Sequence, residues 1–367
     1  MSRRKGFPAA AFVPPTPVRE LTADSTHGSR LHIEVHGPED APAVVLAHGW
    51  TCSTAFWAPV VRALAAEHRV ILYDQRGHGR TPATGPDGYS TDALADDLEA
   101  VLGAALAPGE RAVLVGHSMG GMTLLAAAGR PVLQERAAAV LLCSTGSSRL
   151  LREALVLPLP WAGVRYRAHR ALLGSRAPLG PVTPLARRVL RYVTMGPGAD
   201  PGAVNTCARI VHACPRTVRA RWAHVLAELD LDGRAARLAV PAAVIVGTAD
   251  RLTPPVHARR LAAALPHCTG LTELPGIGHM TPVEAPETVI GTIRELVRER
   301  LTGAGPGAGT GDTTNASGSR SASASTNASA STNPSGPTSA PAPRSASGPG
   351  TSGPGNARGA MAEEETA

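Results

Sequence analysis

The chain reads as an α/β protein: a mostly parallel sheet with helices on both faces, a helical insertion, and a low-complexity tail. Three observations predict this. Short runs of valine, leucine, isoleucine and alanine recur between residues 18 and 274, bounded by glycine, proline or polar residues. Continuous apolar runs of this length suit strands buried on both faces. Stretches with helical apolar spacing alternate with them, which argues for right-handed crossovers in a parallel sheet. Finally, the run AVLVGHSMGGM at 112–122 changes abruptly from a strand pattern to a helix pattern.

In chain order, residues 1–20 are basic and proline-rich and are expected to be loose. Strands are expected near 18–25, 30–36, 43–48, 69–73, 111–116, 138–143, 242–247 and 270–274. Helices fit near 54–67, 91–106, 119–129, 254–265 and 285–301. The core therefore spans 21–145 and 239–302, enough chain to bury one large α/β core. Residues 146–238 interrupt the alternation with helix-like spacing, several prolines and no convincing strand, and are read as a helical cap. Residues 303–367 are almost wholly glycine, alanine, serine, threonine, proline and asparagine. Such a composition lacks the apolar bulk to offset ordering entropy, so this tail is expected to be disordered.

The run Gly116-His117-Ser118-Met119-Gly120 fits the G-x-S-x-G nucleophile elbow, in which a tight strand-to-helix turn lifts a serine hydroxyl above the sheet. Side chains two residues either side of Ser118 would collide with the turn, so glycine is needed there. A nucleophilic serine needs a base, and the base needs an orienting carboxylate. The expected chain order is serine, acid, histidine. Of 13 histidines, His279 is preferred, because it lies in a glycine-rich loop just past an expected strand. Asp250 is preferred as the acid, because it follows the apolar run at 242–247. Both positions fall beyond carboxyl ends of strands, where open α/β sheets place their sites. A second possible acid position, after the strand at 137–145, holds Ser144, Thr145 and Gly146 and no carboxylate.

Two backbone donors are expected to stabilise an oxyanion: the N–H of Met119 and that of Trp50, in the loop after the strand Val44 to Ala47. His48, Gly49 and Trp57 are candidate pocket residues, with core packing an equally good account of Trp57. His117 is read as structural, pointing away from the serine. His48 and His78 are read as bonding their own loops.

With these residues assembled, the chain resembles the α/β-hydrolase family, in its serine esterase and lipase-like branch. The resemblance covers roughly residues 25–302. It rests on His48-Gly49-Trp50, Asp74-Gln75-Arg76-Gly77-His78-Gly79, the turn around Ser118, Asp250 in GTADRLTP, and Gly278-His279-Met280. It implies an eight-stranded, mostly parallel sheet with an inserted cap, no cofactor, and a covalent acyl-enzyme. Asp74 to Gly79 resembles a turn whose role in the family is mainly structural; Arg80 stands where members often carry serine. Epoxide hydrolases and haloalkane dehalogenases are excluded, because they place an aspartate where this chain has Ser118.

The expected function is hydrolysis of a carboxylic ester or related acyl bond, with a small-molecule acyl substrate as partner. Acyl transfer, perhydrolysis or lyase chemistry on the same residues are alternatives, as is a non-catalytic binding protein with a vestigial pocket. The net charge is +7, with 35 arginines and one lysine. Between Arg149 and Leu238, 15 arginines face five carboxylates, a local excess of +10. Such a cap can steer an anionic substrate or an acidic carrier protein. No nucleic-acid-binding signature appears. The five cysteines have no CxxC spacing, so neither zinc nor a disulfide framework is expected. Their odd number suits a reducing cytoplasm. Ser2-Arg3-Arg4 hints at an export signal, but the following run FPAAAFV is short and proline-flanked. No segment reaches the length of a membrane span.

Overall fold

The computed structural model describes residues 9–303. The expectation of disorder falls, from residue 304 on, outside the described residues. Eight strands form one sheet: β1 (Arg19–Asp24), β2 (Arg30–His36), β3 (Ala43–Ala47), β4 (Arg69–Tyr73), β5 (Ala112–His117), β6 (Ala137–Cys143), β7 (Ala242–Gly247) and β8 (Cys268–Leu274). Their order is β1-β2-β4-β3-β5-β6-β7-β8. β2 is antiparallel to both β1 and β4, and every later neighbour pair is parallel.

The apolar runs are continuous because each strand feeds two cores. Val45, Ile71, Leu114, Val140 and Val244 point to one face, where α2 (Thr91–Ala105), α3 (Met119–Ala126) and α11 (Pro255–Ala264) cover them. Val44, Val70, Val113, Ala139 and Ile245 point to the other, beneath α1 (Ala58–Leu64) and α13 (Pro286–Arg300). Successive side chains on a strand alternate sides, so only an unbroken apolar run fills both layers. Local chemistry sets the helix starts. Ser90 caps α2 by accepting from the N–H of Ala93 at 3.0 Å, and Pro286 opens α13 at a position where no N–H is needed.

Two core elements depart from expectation. The stretch expected as one helix over 54–67 starts as a 3-10 turn at Thr54–Trp57 before α1. The helix after Ser118 stops at Ala126, and a separate short helix, α4 (Pro131–Arg136), follows with proline at its start. The N-terminal segment also differs: from Ala9 it is docked rather than loose. A 3-10 turn at Ala9–Phe12 buries Phe12 among the residues of α1 and the cap, and Arg62 donates to the Val13 carbonyl at 2.7 Å. An aromatic ring with a greasy groove to fill outweighs the proline-rich composition around it.

The insertion is helical: α5 (Leu150–Glu153), α6 (Ala162–Leu173), α7 (Pro184–Thr194), α8 (Pro201–Ala213), α9 (Arg216–Ala227) and α10 (Asp232–Ala235). Its only strand-like feature among the described residues is one bridge between Ser148 and Asp230. α12 (Thr281–Glu284) completes the core between β8 and α13. No helix among the described residues is long and apolar enough to cross a membrane.

Candidate active site

The carboxyl ends of β3, β5, β7 and β8 point toward the cap, and the loops there carry the residues singled out above. Ser118 sits between β5 and α3 at φ 52°, ψ −116°. Its N–H donates to the Cys143 carbonyl at 2.9 Å, and its own carbonyl accepts from the Thr145 hydroxyl at 2.7 Å. The glycines flanking it are required by contact. A Cβ on Gly116 would lie 2.5 Å from the Gly120 backbone, and one on Gly120 would lie 2.1 Å from the Ala47 carbonyl oxygen. Thr51 and Ser144, after β3 and β6, also hold positive φ, at 63° and 46°. Strained backbone outside glycine thus gathers at one end of the sheet, as it does at functional sites.

Asp250 follows β7 and is almost fully buried, and His279 follows β8. Asp250 Oδ2 lies 2.8 Å from His279 Nδ1, which donates to it. Asp250 Oδ1 accepts from the backbone N–H groups of Leu252 and Thr253, at 2.8 and 2.9 Å. The Thr253 hydroxyl lies 2.9 Å from both Asp250 Oδ2 and the Ser144 carbonyl. The carboxylate is therefore held in one orientation from four directions.

Sequence reasoning missed two supports of His279. Glu284 accepts from the N–H groups of Gly196, Gly278 and Met280, at 2.7, 3.1 and 3.2 Å, and so shapes the turn that carries the histidine. Burial pushes its carboxyl up, against those three donors. The local run Thr281-Pro282-Val283-Glu284 does not reveal it, because the three donors lie outside that run and one of them, Gly196, belongs to the inserted cap. The second support is His117. Its ring does not turn away from the site: Nε2–H donates to the His279 carbonyl at 2.9 Å, and the two rings are 5.0 Å apart between centroids. Phe56 stacks on it at 4.6 Å. Burial drives the His117 pKa well down, so the ring is neutral.

His48 and His78 bond across loops rather than only within their own. His48 Nε2 accepts from the N–H of Gln75 at 3.1 Å, while His78 Nε2 accepts from the N–H of Thr51 at 3.1 Å. The loops after β3 and β4 thus clasp each other reciprocally. Burial takes His48 down to about 3 and His78 to about 4. Protonating either ring would set an N–H against a backbone N–H. Beside the clasp, Asp74 accepts from the N–H groups of Thr54 and Arg80, at 2.8 and 2.9 Å. Arg76 is wholly buried and grips Asp97 of α2 with two bonds, at 2.7 and 2.5 Å. The clasp fixes the turn holding Trp50, whose indole N–H reaches the Arg219 carbonyl on α9 at 3.1 Å. Met119 opens α3, so its N–H has no carbonyl to meet inside the helix.

A cavity of about 610 Å³ lies between these loops and the cap. Ser118, His279, Trp50 and Thr51 line its floor, and its walls are mostly aliphatic, including Leu150, Leu151, Leu173, Leu190 and Leu226. Three candidate pocket residues are corrected. Trp57 is fully buried in the layer beneath the sheet, against α1 and α13. His48 is equally inaccessible, its ring engaged in the clasp. Gly49 backs the cavity without lining it: a Cβ there would sit 3.1 Å from Ser118 Cβ and 2.8 Å from His117 Nδ1. The ring of His117 occupies the space that a pocket wall would need. Among the described residues no cluster of metal-ligating side chains occurs. Cys52, Cys143, Cys207 and Cys214 are buried and free, and burial pushes the Cys207 and Cys214 thiols up to about 12.

Comparison with known proteins agrees with this architecture. Residues 44–292 match the model of the alpha/beta hydrolase family. The chain is 34% identical, over 68% of its length and 89% of the relative's, to a Variovorax paradoxus protein named "Putative carbamate hydrolase RutD". Among solved structures it is similar to an enol-lactonase from Burkholderia xenovorans, at 26% identity and a TM-score of 0.62, covering 76% of this chain and 99% of the lactonase. It is likewise similar to a thermophilic esterase from Thermogutta terrifontis, at 25% identity and a TM-score of 0.62, with coverage of 77% and 99%. The chain belongs to the alpha/beta hydrolase family. It is an enzyme, a hydrolase built on an eight-stranded sheet with a helical cap.

Proposed function

We propose that the protein is a serine hydrolase that cleaves carboxylic esters with an apolar acyl or alcohol part. The observation that carries this is the 2.8 Å bond from His279 to the buried Asp250, made at the floor of an aliphatic cavity that Ser118 also lines. In this reading Ser118 Oγ attacks the ester carbonyl while His279 takes its proton. Asp250 keeps the proton of the neutral imidazole on Nδ1 and balances the imidazolium that forms. The N–H groups of Trp50 and Met119 receive the oxyanion, each worth roughly 3–4 kcal/mol of barrier. Collapse expels the alcohol with a proton from His279. Water, deprotonated by His279, then releases the acid and restores Ser118.

The cavity bears on substrate class. Carbamate is the substrate named for the Variovorax relative. A small ionised carbamate would gain little from walls of leucine and valine, whereas a hydrocarbon-bearing ester is desolvated favourably there. Among the described residues the one arginine lining the cavity, Arg219, is committed to the carbonyls of Ser175 and Ala177. Buried free thiols favour a cytoplasmic setting. The test is a series of p-nitrophenyl esters of increasing chain length, run beside lactones, thioesters and a small carbamate. Rising kcat/KM with chain length is expected. Turnover of the carbamate alone would replace the ester reading. Ser118→Ala should abolish both hydrolysis and covalent labelling by a fluorophosphonate, and full labelling of that variant would place the nucleophile elsewhere.

A further inference from the structure

Helix α7 has two unlike faces. Leu185, Val189 and Val193 turn toward the catalytic cavity. Arg187, Arg188 and Arg191 turn away from it, into a separate groove of about 730 Å³ that shares no lining residue with the cavity. Arg251, from the loop after β7, joins them there. The groove thus gathers four guanidinium groups, and among the described residues no carboxylate lines it. Among the described residues none of the four arginines makes an ion pair. α7 itself contains no acidic residue, so its like charges at three- and four-residue spacing repel without relief.

Neutral groups nevertheless hold three of these four side chains in place. Arg187 donates to the Asn205 side-chain oxygen at 3.1 Å, Arg191 to the Pro197 carbonyl, and Arg251 to the Tyr192 carbonyl at 2.8 Å. The Arg251 guanidinium also lies 4.5 Å from the centre of the Tyr192 ring. Each bond uses one of five N–H donors per guanidinium and cancels no charge. Arg188 makes no side-chain bond at all among the described residues. Oriented, uncompensated guanidiniums in a concave site match the oxygens of a phosphate, which accepts forked pairs of N–H bonds.

We propose that this groove binds the phosphate or diphosphate group of a small soluble molecule, at a site distinct from the catalytic cavity. The volume exceeds what a lone phosphate needs and leaves room for an organic part. The site does not depend on the assignment of the catalytic residues.

The test is calorimetric titration of the full chain with inorganic pyrophosphate at constant ionic strength. Saturable one-site binding is expected. Arg188→Glu should weaken it roughly ten- to hundredfold, the range for losing one charge-assisted hydrogen bond. Arg188→Gln should weaken it less, and both variants should melt no lower than the parent, because the Arg188 side chain makes no bond among the described residues and sits among like charges. Arg216→Glu changes the cap charge equally but lies outside the groove, and it should leave binding intact. Ser118→Ala should also bind unchanged, which separates this site from the catalytic proposal. Absence of saturable binding would overturn the inference. So would equal weakening by Arg216→Glu, which would mean diffuse attraction to the cap, or loss of binding after fluorophosphonate labelling, which would put pyrophosphate in the cavity.

Discussion

Replacing Asp250 with asparagine separates catalysis from stability, because the geometry lets asparagine keep nearly every contact. With its oxygen placed where Asp250 Oδ1 lies, it still accepts from the N–H groups of Leu252 and Thr253. Its NH2 then takes the place of Oδ2. It can donate to the Thr253 hydroxyl, whose own proton goes to the Ser144 carbonyl 2.9 Å away. Its remaining N–H faces His279 Nδ1, which must now accept. That moves the imidazole proton to the other nitrogen, the one needed to receive the proton of Ser118. The fold should therefore change by less than about 1 kcal/mol, while kcat falls about 10⁴-fold, as for the wrong tautomer in triads generally. At about 1.36 kcal/mol per factor of ten, that is roughly 5.4 kcal/mol of barrier. Asp250→Ala is the contrast. It strands the donors of Leu252, Thr253 and His279, each costing about 1–3 kcal/mol, so it should lose stability as well. The assay is kcat on a p-nitrophenyl ester together with thermal melting of both variants. A loss under about tenfold in a well-folded Asp250→Asn variant would refute the role given to this carboxylate.

Three further outcomes are expected. His48 and His78 are held neutral by burial, with folded pKa values near 3 and 4 against an ordinary 6.5. Between those limits the unfolded chain binds more protons, so stability is complete above about pH 6.5 and declines as pH falls. At pH 5 each ring withdraws about 2 kcal/mol, at about 1.36 kcal/mol per unit; urea unfolding at pH 7.5 and pH 5 measures this, and equal midpoints would contradict it. Arg76→Met leaves Asp97 buried without its partner and should destabilise by about 3–5 kcal/mol in the same assay. His117→Leu removes the donor to the His279 carbonyl. It should cost about 1–3 kcal/mol and slow fluorophosphonate labelling of Ser118, whereas unchanged labelling would make the ring mere packing.

Much of the architecture was decided by the chain itself. Val44 to Ala47, Val70 to Tyr73 and Ala242 to Val246 are apolar without interruption, and only strands buried on both faces need that. Gly116 and Gly120 around Ser118 mark a turn that admits no side chain, and this is a local requirement, visible in five residues. Asp250 and His279 were singled out as candidates by chain order and by position after an apolar run. The distance between them was not legible, since it depends on how β7 and β8 pair.

Other features arise only where segments distant in the chain meet. His48 bonds Gln75 and His78 bonds Thr51, because β3 and β4 lie side by side in the sheet. Trp57 has the composition of a pocket residue, yet the sheet face it meets needed filling. His117 supports His279 because β5 delivers its ring beneath a loop more than a hundred residues away. The arginines of the cap counted as one basic excess in the sequence, whereas α7 sorts three of them, with Arg251, into a groove apart from the cavity. Hydrophobic periodicity records which face of an element is buried, but not what lies against it. The partner of each polar side chain is set by packing across elements, and no local pattern encodes it.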